Sequence, residues 1–448
     1  MPNRERANGE SKSPIAPGGG QVTWQLDQTP PLAFHYWLFG RVAIGLFFDI
    51  FDIYIASAVA GALVAGGWGT LQEIAPLASV TLAGMMIGSL SAGLVCDKWG
   101  RRLAFRWSLV IVCISSLVAA LAPNLDVLVG ARLITGIGLG AEVVLAYAAF
   151  AEFLPASVRG RWLGMMAMTG NTAVIVAAFA AYVIIPLVGW RWLFVIGAVG
   201  AAIGVVLRRD IPESPRWLEL QGRHKDALAV LNRIGIVASR PLETVVSAAP
   251  SGAPPTAPRD YPLRSLFVAS VVCAALYISI FGFLTWLPGI MVTEGRALKH
   301  SLLLNVFMSC GAVAGTVLGG YIADWTGRRP GIALLAVASG AFGVLYALSA
   351  DDKLQTLLGF LLYTGIYALG VVSVSIYVPE LFTTRVRMRG AGSAVSIGRL
   401  FAIGAPMVLP WLHTYYGLLG AAVAIAGVLT FEVMVVLLLG HETRAQPL

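Results

Sequence analysis

The sequence predicts an all-α membrane protein, with twelve transmembrane helices arranged as two pseudo-symmetric six-helix bundles. Three observations carry that prediction: an apolar composition, apolar runs of membrane-spanning length, and an internal duplication. The 448 residues are 58% hydrophobic and 12% charged, with a mean hydropathy of +0.80. A soluble chain carries roughly a quarter charged residues, so this one needs a large lipid-facing surface. Twelve segments are read as helices, at 36–64, 75–96, 103–122, 125–150, 162–186, 189–209, 264–292, 301–323, 331–350, 354–379, 391–414 and 417–440. Each is long enough to cross, or nearly cross, about 30 Å of hydrocarbon.

Charge placement orients the chain. With the N-terminus in the cytoplasm, 24 of the 31 Lys and Arg fall on the cytoplasmic side. Arg191, Arg296, Lys299 and Lys353 face outward, and Arg41, Arg132 and Arg399 lie within or at the edge of segments. This is the positive-inside pattern of a plasma-membrane protein, in bacteria the inner membrane. The net charge of +8 therefore reports topology, and no nucleic-acid partner is implied. Residues 1–35 are polar and rich in Gly and Pro, without a cleavage pattern, and are read as a disordered cytoplasmic tail. Residues 441–448 form a second cytoplasmic tail. Cys96, Cys113, Cys273 and Cys310 sit in or at the ends of apolar segments without metal-ligand spacing, so they are read as core residues, with no metal or cofactor.

The duplication is explicit. Gly88, Gly93, Asp97, Gly100, Arg101 and Arg102 recur as Gly315, Gly320, Asp324, Gly327, Arg328 and Arg329, each displaced by 227. Glu152 and Arg159 recur as Glu380 and Arg387, displaced by 228. Two unrelated motifs sharing one offset within a residue identify a duplicated six-helix unit, at 36–209 and 264–440. Residues 210–263 join the halves. Their charged start, Glu213 to Asn232, is compatible with a surface helix, and 247–258 is a Pro/Ala/Ser linker. Parallel repeats of this kind are a plan used by secondary transporters.

The repeated Gly-Asp-Gly-Arg loop resembles the signature of the major facilitator superfamily, and the resemblance covers residues 36–440. Arg132-Leu-Ile-Thr-Gly136-Ile-Gly138-Leu-Gly140 resembles its fourth-helix motif. Glu152 through Gly160 and Pro212-Glu213-Ser214-Pro215-Arg216 resemble its sugar-porter and metabolite-porter branches. The resemblance implies the major facilitator fold and a transporter rather than an enzyme, and a monomer is expected. It implies that Asp97, Arg101, Glu152, Arg159, Asp324, Arg328, Glu380 and Arg387 form a cytoplasmic latch between the halves, closed when the protein faces outward and broken when it faces inward, with Asp97 facing the start of the eleventh helix; topology-setting charge is the alternative. Gly84, Gly88 and Gly93, with Gly311, Gly315 and Gly319, thin the second and eighth helices and allow close backbone approach. A sliding interface is the expectation, and static packing the alternative.

Ionisable groups inside the membrane are costly, by at least about 2.5–3.5 kcal/mol at a helix centre, and so suggest function. Five stand out: Asp49, Asp52, Arg132, Glu142 and Arg399. Asp49 and Asp52 share a face of the first helix, where both cannot ionise cheaply, so one can hold a proton. Asp52 matches the acid that proton-coupled relatives carry there, and the doubled aspartate resembles aromatic-acid and metabolite symporters. The resemblance pairs Asp52 with Arg132, whose charge is permanent. Glu142, about 15 Å further along the same helix, is a second protonation site, a substrate contact or a structural bond. An arginine at position 399 is similar to the organic-anion branches, where it suits a carboxylate bidentately; snorkelling to the surface is the alternative.

The seventh segment, Cys273 to Pro288, lacks the Gln and Asn that sugar porters carry. Its Thr285-Trp286-Leu287-Pro288 ending resembles niacin-like and organic-acid porters. With Tyr277, Trp286, Tyr363, Tyr367, Ser373 and Arg399 as substrate contacts, the reading is a proton-coupled symporter of a small organic anion. Alternatives are a sugar or polyol porter, a multidrug antiporter and a non-transporting nutrient sensor. No nucleophile, metal cluster or cofactor loop points to an enzyme.

Overall fold

Apolar runs punctuated by glycine, proline and capping residues set where each helix starts and stops. The structure, a computed structural model, describes residues 21–236, 262–382 and 387–443, and among these it contains helices and no strand. The helices are α1 (Gln21–Gln28), α2 (Ala33–Ala65), α3 (Leu71–Ile74), α4 (Pro76–Trp99), α5 (Arg101–Ala120), α6 (Leu125–Phe153), α7 (Ala156–Val188), α8 (Arg191–Leu207), α9 (Pro215–Leu220) and α10 (His224–Arg233). After the linker come α11 (Pro262–Tyr277), α12 (Leu287–Thr293), α13 (Leu298–Thr326), α14 (Arg328–Leu348), α15 (Asp352–Gly370), α16 (Val378–Glu380), α17 (Arg387–Ala402) and α18 (Ala405–Leu439). Asn124 caps α6 by accepting from the Val127 amide at 3.0 Å, and Asp351 caps α15 through the Leu354 amide at 2.8 Å.

Ten helical stretches among the described residues are long and apolar enough to cross a membrane. The last of them, Arg389–Leu439, runs 51 residues and is broken at Gly417 (φ 67°, ψ −174°), while α8 is shorter, at 17 residues. The helices gather into two bundles, α2 with α4–α8 and α11–α15 with α17 and α18, in contact through α7 with α13, α4 with α17, and α2 with α12.

The glycine stripes lie inside these bundles. A Cβ on Gly84 or Gly88 would run into the Leu133 or Ile137 carbonyl of α6, and one on Gly311 or Gly315 into the Phe360 or Thr364 carbonyl of α15. Gly88 thus packs within one half: the carbonyl ridge that needs the missing Cβ belongs to its own bundle.

The signature loops also tie each half to itself. Gly100 (φ 89°) and Gly327 (φ 90°) turn the chain between α4 and α5 and between α13 and α14. Arg101 reaches Glu152 at 3.2 Å, and Arg328 reaches Glu380 at 3.0 Å. Glu213 accepts from the Arg101 amide at 2.9 Å, while Glu442 accepts from the Arg328 and Arg329 amides, each at 3.0 Å. These carboxylates satisfy the free amides at the starts of α5 and α14. Arg159 lies 3.6 Å from Asp27 and donates to the Leu154 carbonyl; the Asp324 side chain is exposed, 3.8 Å from Arg328. The Arg101–Glu152 and Arg328–Glu380 pairs staple helices within a half in this conformation, in which the latch is expected to be open. The surroundings of Gly93 and the side chains of Asp97 and Arg387 lie outside what the structure describes, as do residues 1–20, 237–261, 383–386 and 444–448.

One stretch assigned to the tail is structured. Residues 21–28 form α1, whose Val22 and Leu26 are buried, and the Val22 amide donates to Glu219 of α9 at 3.0 Å. Its apolar residues recur every four positions, giving the short helix a face to bury against α9 and α10.

Candidate substrate cavity and buried charges

At the end of the molecule away from the termini, the two halves are closed against each other. The Ser57 hydroxyl donates to the Thr285 carbonyl at 2.5 Å, the Tyr367 hydroxyl to the Tyr54 hydroxyl at 2.5 Å, and Gln72 to Thr414 at 3.2 Å. Gly61 and Gly289 bring α2 and α12 into backbone contact. Between this seal and the end bearing the termini lies a cavity of about 260 Å³. That is below the roughly 300–1,000 Å³ of drug-sized pockets, so the cavity suits a small ligand.

Both halves line it. Tyr54, Tyr147, Tyr277, Phe281 and Tyr367 supply aromatic surface; Asn171, Thr316, Ser375 and Arg399 supply polar atoms. Asn171 already donates to Thr316 at 2.7 Å, bridging α7 and α13. The second-half wall departs from α geometry where it meets the cavity. Residues Ile278–Phe283 and Val371–Tyr377 are π-helical, a widening associated with functional positions.

Arg399 is the charged group on this wall. It is 7% exposed, its guanidinium carbon lies 5.8 Å from the centre of the Tyr277 ring, and its Nη1 has no hydrogen-bond partner. A guanidinium stays charged, and a buried donor without an acceptor is costly. The arrangement favours an incoming anion. A larger groove of about 780 Å³, bounded by Phe267, Phe401 and Phe431, has no charged residue in its lining and is apolar, as a lipid-facing surface would be.

Of the residues read as substrate contacts, Arg399, Tyr277 and Tyr367 line the cavity. Tyr363 is buried beside it, donating to Asn305 at 3.1 Å and stacked on Tyr367. Trp286 and Ser373 are buried and absent from the wall.

The charges of the first half sit behind the wall. Asp52 pairs with Arg132 and accepts from the Ser116 hydroxyl at 2.9 Å, all buried; Arg132 also lies over the Phe194 ring. Glu142 pairs with Arg208 and accepts from Ser108 at 2.5 Å. Arg208 stacks on Phe105 at 3.7 Å and donates to the Val42 carbonyl at 3.3 Å, with Gly45 leaving room for its guanidinium. Its place at the C-terminal end of α8 favours a cation. Asp49 is 1% exposed, and neither of its oxygens has a hydrogen-bond partner. Two buried charges escaped the sequence reading. Arg208 stands in the sequence as half of an Arg-Arg pair at a helix end, which carries no sign of burial. Glu432, fully buried in α18 without a partner, was legible as the one acid in a 35-residue apolar helix.

The family profile described as sugar (and other) transporter matches residues 43–448. The chain belongs to this family. Members of the sugar (and other) transporter family are membrane transporters of small molecules, and the chain is a multi-pass transporter of that kind, not an enzyme. It is 32% identical over 439 residues to the putative metabolite transport protein YdjK of Escherichia coli K12, covering 94% of each chain. It is 28% identical over 433 residues to the niacin transporter NiaP of Acinetobacter baylyi, covering 95% of this chain and 98% of that one. The solved structure of the xylose transporter XylE from E. coli, partially occluded and inward open, matches with a TM-score of 0.75, covering 93% of this chain and 100% of that one. At 19% identity this likeness speaks to fold alone, which is that of the major facilitators.

Proposed function

We propose that the chain is a proton-coupled symporter of a small organic anion, an aromatic or heterocyclic carboxylate, working by alternating access. The observation that carries the anion is Arg399, a buried guanidinium with an unpartnered nitrogen on the wall of a small aromatic cavity. A carboxylate would accept two charge-assisted bonds there, while its ring packs against Tyr277 and Phe281. The niacin transporter among the relatives handles a molecule of this type. Proton coupling is supported by the buried carboxylates of α2.

Twelve crossings follow if Gly417 divides the last apolar stretch into two and α8, which rises about 25 Å, counts as one. The halves are then 36–209 and 264–440, joined by a cytoplasmic linker. The excess of Lys and Arg on the terminal side supports both termini in the cytoplasm, and a bacterial inner membrane is supported by the inner membrane metabolite transport protein YdjE of Escherichia coli K12 among the relatives. In that orientation the cavity communicates inward and the Tyr54–Tyr367 seal faces out. Return to the outward state would part that seal and bring the two cytoplasmic faces together as a monomer rocks about its substrate.

A sugar reading takes support from the family description. It is opposed by the lining, where the amide of Asn171 is already engaged and few donors remain for hydroxyls. The test is uptake into proteoliposomes under an imposed pH gradient, using nicotinate, 4-hydroxybenzoate, xylose and glucose. Carboxylate accumulation that collapses with the gradient is the expected result; accumulation of a sugar with indifference to carboxylates would sink the reading.

A further inference from the structure

The buried charges of the first half do not balance. Across α2, α6 and the end of α8, three fully buried carboxylates face two buried guanidinium groups. Asp52 and Arg132 neutralise each other, and Ser116 satisfies the second Asp52 oxygen. Glu142 and Arg208 do the same, with Ser108 bonded to the second Glu142 oxygen. Asp49 is left over. The charged groups that act on it are Glu142 from α6, Arg208 at the end of α8, and Asp52 one turn along its own helix. From α5 the polar neighbours of this region are the uncharged hydroxyls of Ser108 and Ser116. No charged group of α7 or of the second half acts on it among the described residues.

An ionised Asp49 would place a second negative charge beside a pair that is already neutral, in a site sealed from water. Such an uncompensated charge costs several kcal/mol. One proton removes the excess. It belongs on Asp49 because Glu142 holds two hydrogen-bond donors and Asp49 holds none. We infer that Asp49, beside the Glu142–Arg208 pair, is the site that holds a dissociable proton, and that Asp52 stays ionised against Arg132.

This deepens the symport reading and rests on it only for the statement that the proton is the one carried. It also reverses the order of the two aspartates, since the resemblance to proton-coupled relatives favoured Asp52. Leu46 and Ile50 of α2 and Val143 of α6 line the cavity, so Asp49 and Glu142 lie one side-chain layer behind its wall. The step is a plain proton transfer. A proton from water in the opened cavity forms an O–H bond at an Asp49 carboxylate oxygen and later leaves to water on the other side, and nothing is oxidised.

The test is infrared spectroscopy of the purified full-length protein at neutral pH, reading the carbonyl stretch of protonated carboxyl groups and its shift in heavy water. Glu432→Gln, run alongside, identifies the component owed to the other carboxylate with both oxygens unpartnered. Asp49→Asn should remove a distinct component of the wild-type band. Glu142→Gln should remove the same component although Asp49 is intact, because the remaining carboxylate can then ionise against Arg208. That second loss does not depend on Asp49→Asn folding, and a purely structural Asp49 would not produce it. Asp52→Asn combined with Arg132→Met removes one charge of each sign, keeps the excess on Asp49, and should leave the component in place. A component that survives both Asp49→Asn and Glu142→Gln, or that disappears in the Asp52→Asn/Arg132→Met double variant, overturns the inference. If the band behaves as expected while no carboxylate accumulates along a pH gradient, the proton site stands and the symport reading falls.

Discussion

The two halves share a skeleton and differ in what they bury. Each turns at a positive-φ glycine, staples an arginine to a glutamate, and caps a helix start with a further glutamate (Glu213 in one, Glu442 in the other). Each packs a glycine stripe on a carbonyl ridge. Inside, the resemblance stops. The first half buries two ion pairs and a lone aspartate in regular α-helix. The second lines its cavity with aromatic residues on π-helical stretches and holds a single cavity arginine. At the displacement of 228 set by Glu152 and Glu380, Asn171 corresponds to Arg399. A duplicated frame keeps its packing and its end staples, and the interior positions are free to specialise; on the function proposed above, the first half handles the proton and the second the anion.

The comparison can be broken at several points. Arg399→Met should lower carboxylate uptake by about 30-fold or more, since a buried charge-assisted pair is worth roughly 2–5 kcal/mol when one partner is removed. Arg399→Lys should recover only part of it, and initial uptake rates decide the matter. Asp52→Asn should destabilise the protein by about 3–5 kcal/mol by stranding Arg132, seen as a lower unfolding temperature in detergent. Adding Arg132→Met to Asp52→Asn should restore much of that loss; no recovery would mean the pair does more than compensate charge. Gly88→Val and Gly315→Val should each cost about 1–3 kcal/mol by overpacking and should do so equally, because both face a carbonyl ridge. A large difference between them would mean that one stripe serves motion. The smallest effect is expected from Glu213→Gln and Glu442→Gln, about 0.3–1 kcal/mol each, again alike in the two halves.

Much of this was legible in the sequence. Hydropathy marked the apolar helices, ten of which among the described residues are long enough to cross a membrane. The Asp52–Arg132 pairing was implied by resemblance, and the structure holds the two groups in contact. What escaped has physical reasons. Which bundle a glycine faces depends on helix rotation, which a near-uniformly apolar segment does not encode, so Gly88 could not be assigned to its own half. Arg208 looked like a loop charge because helix ends in membranes are rich in arginine, and only the approach of Glu142 shows its place. Trp286 and Tyr363 carry the same aromatic signal as Tyr277, yet sit at the seal and not on the wall, a matter of a turn or two along the helix.

Division of labour between the halves is tested most directly by comparing Arg399→Met and Asp49→Asn in one proteoliposome assay that reads both carboxylate exchange and accumulation driven by a pH gradient. The account predicts that Arg399→Met loses both activities, whereas Asp49→Asn loses accumulation and keeps measurable exchange. Identical defects in the two variants, or accumulation that persists in Asp49→Asn, would contradict it.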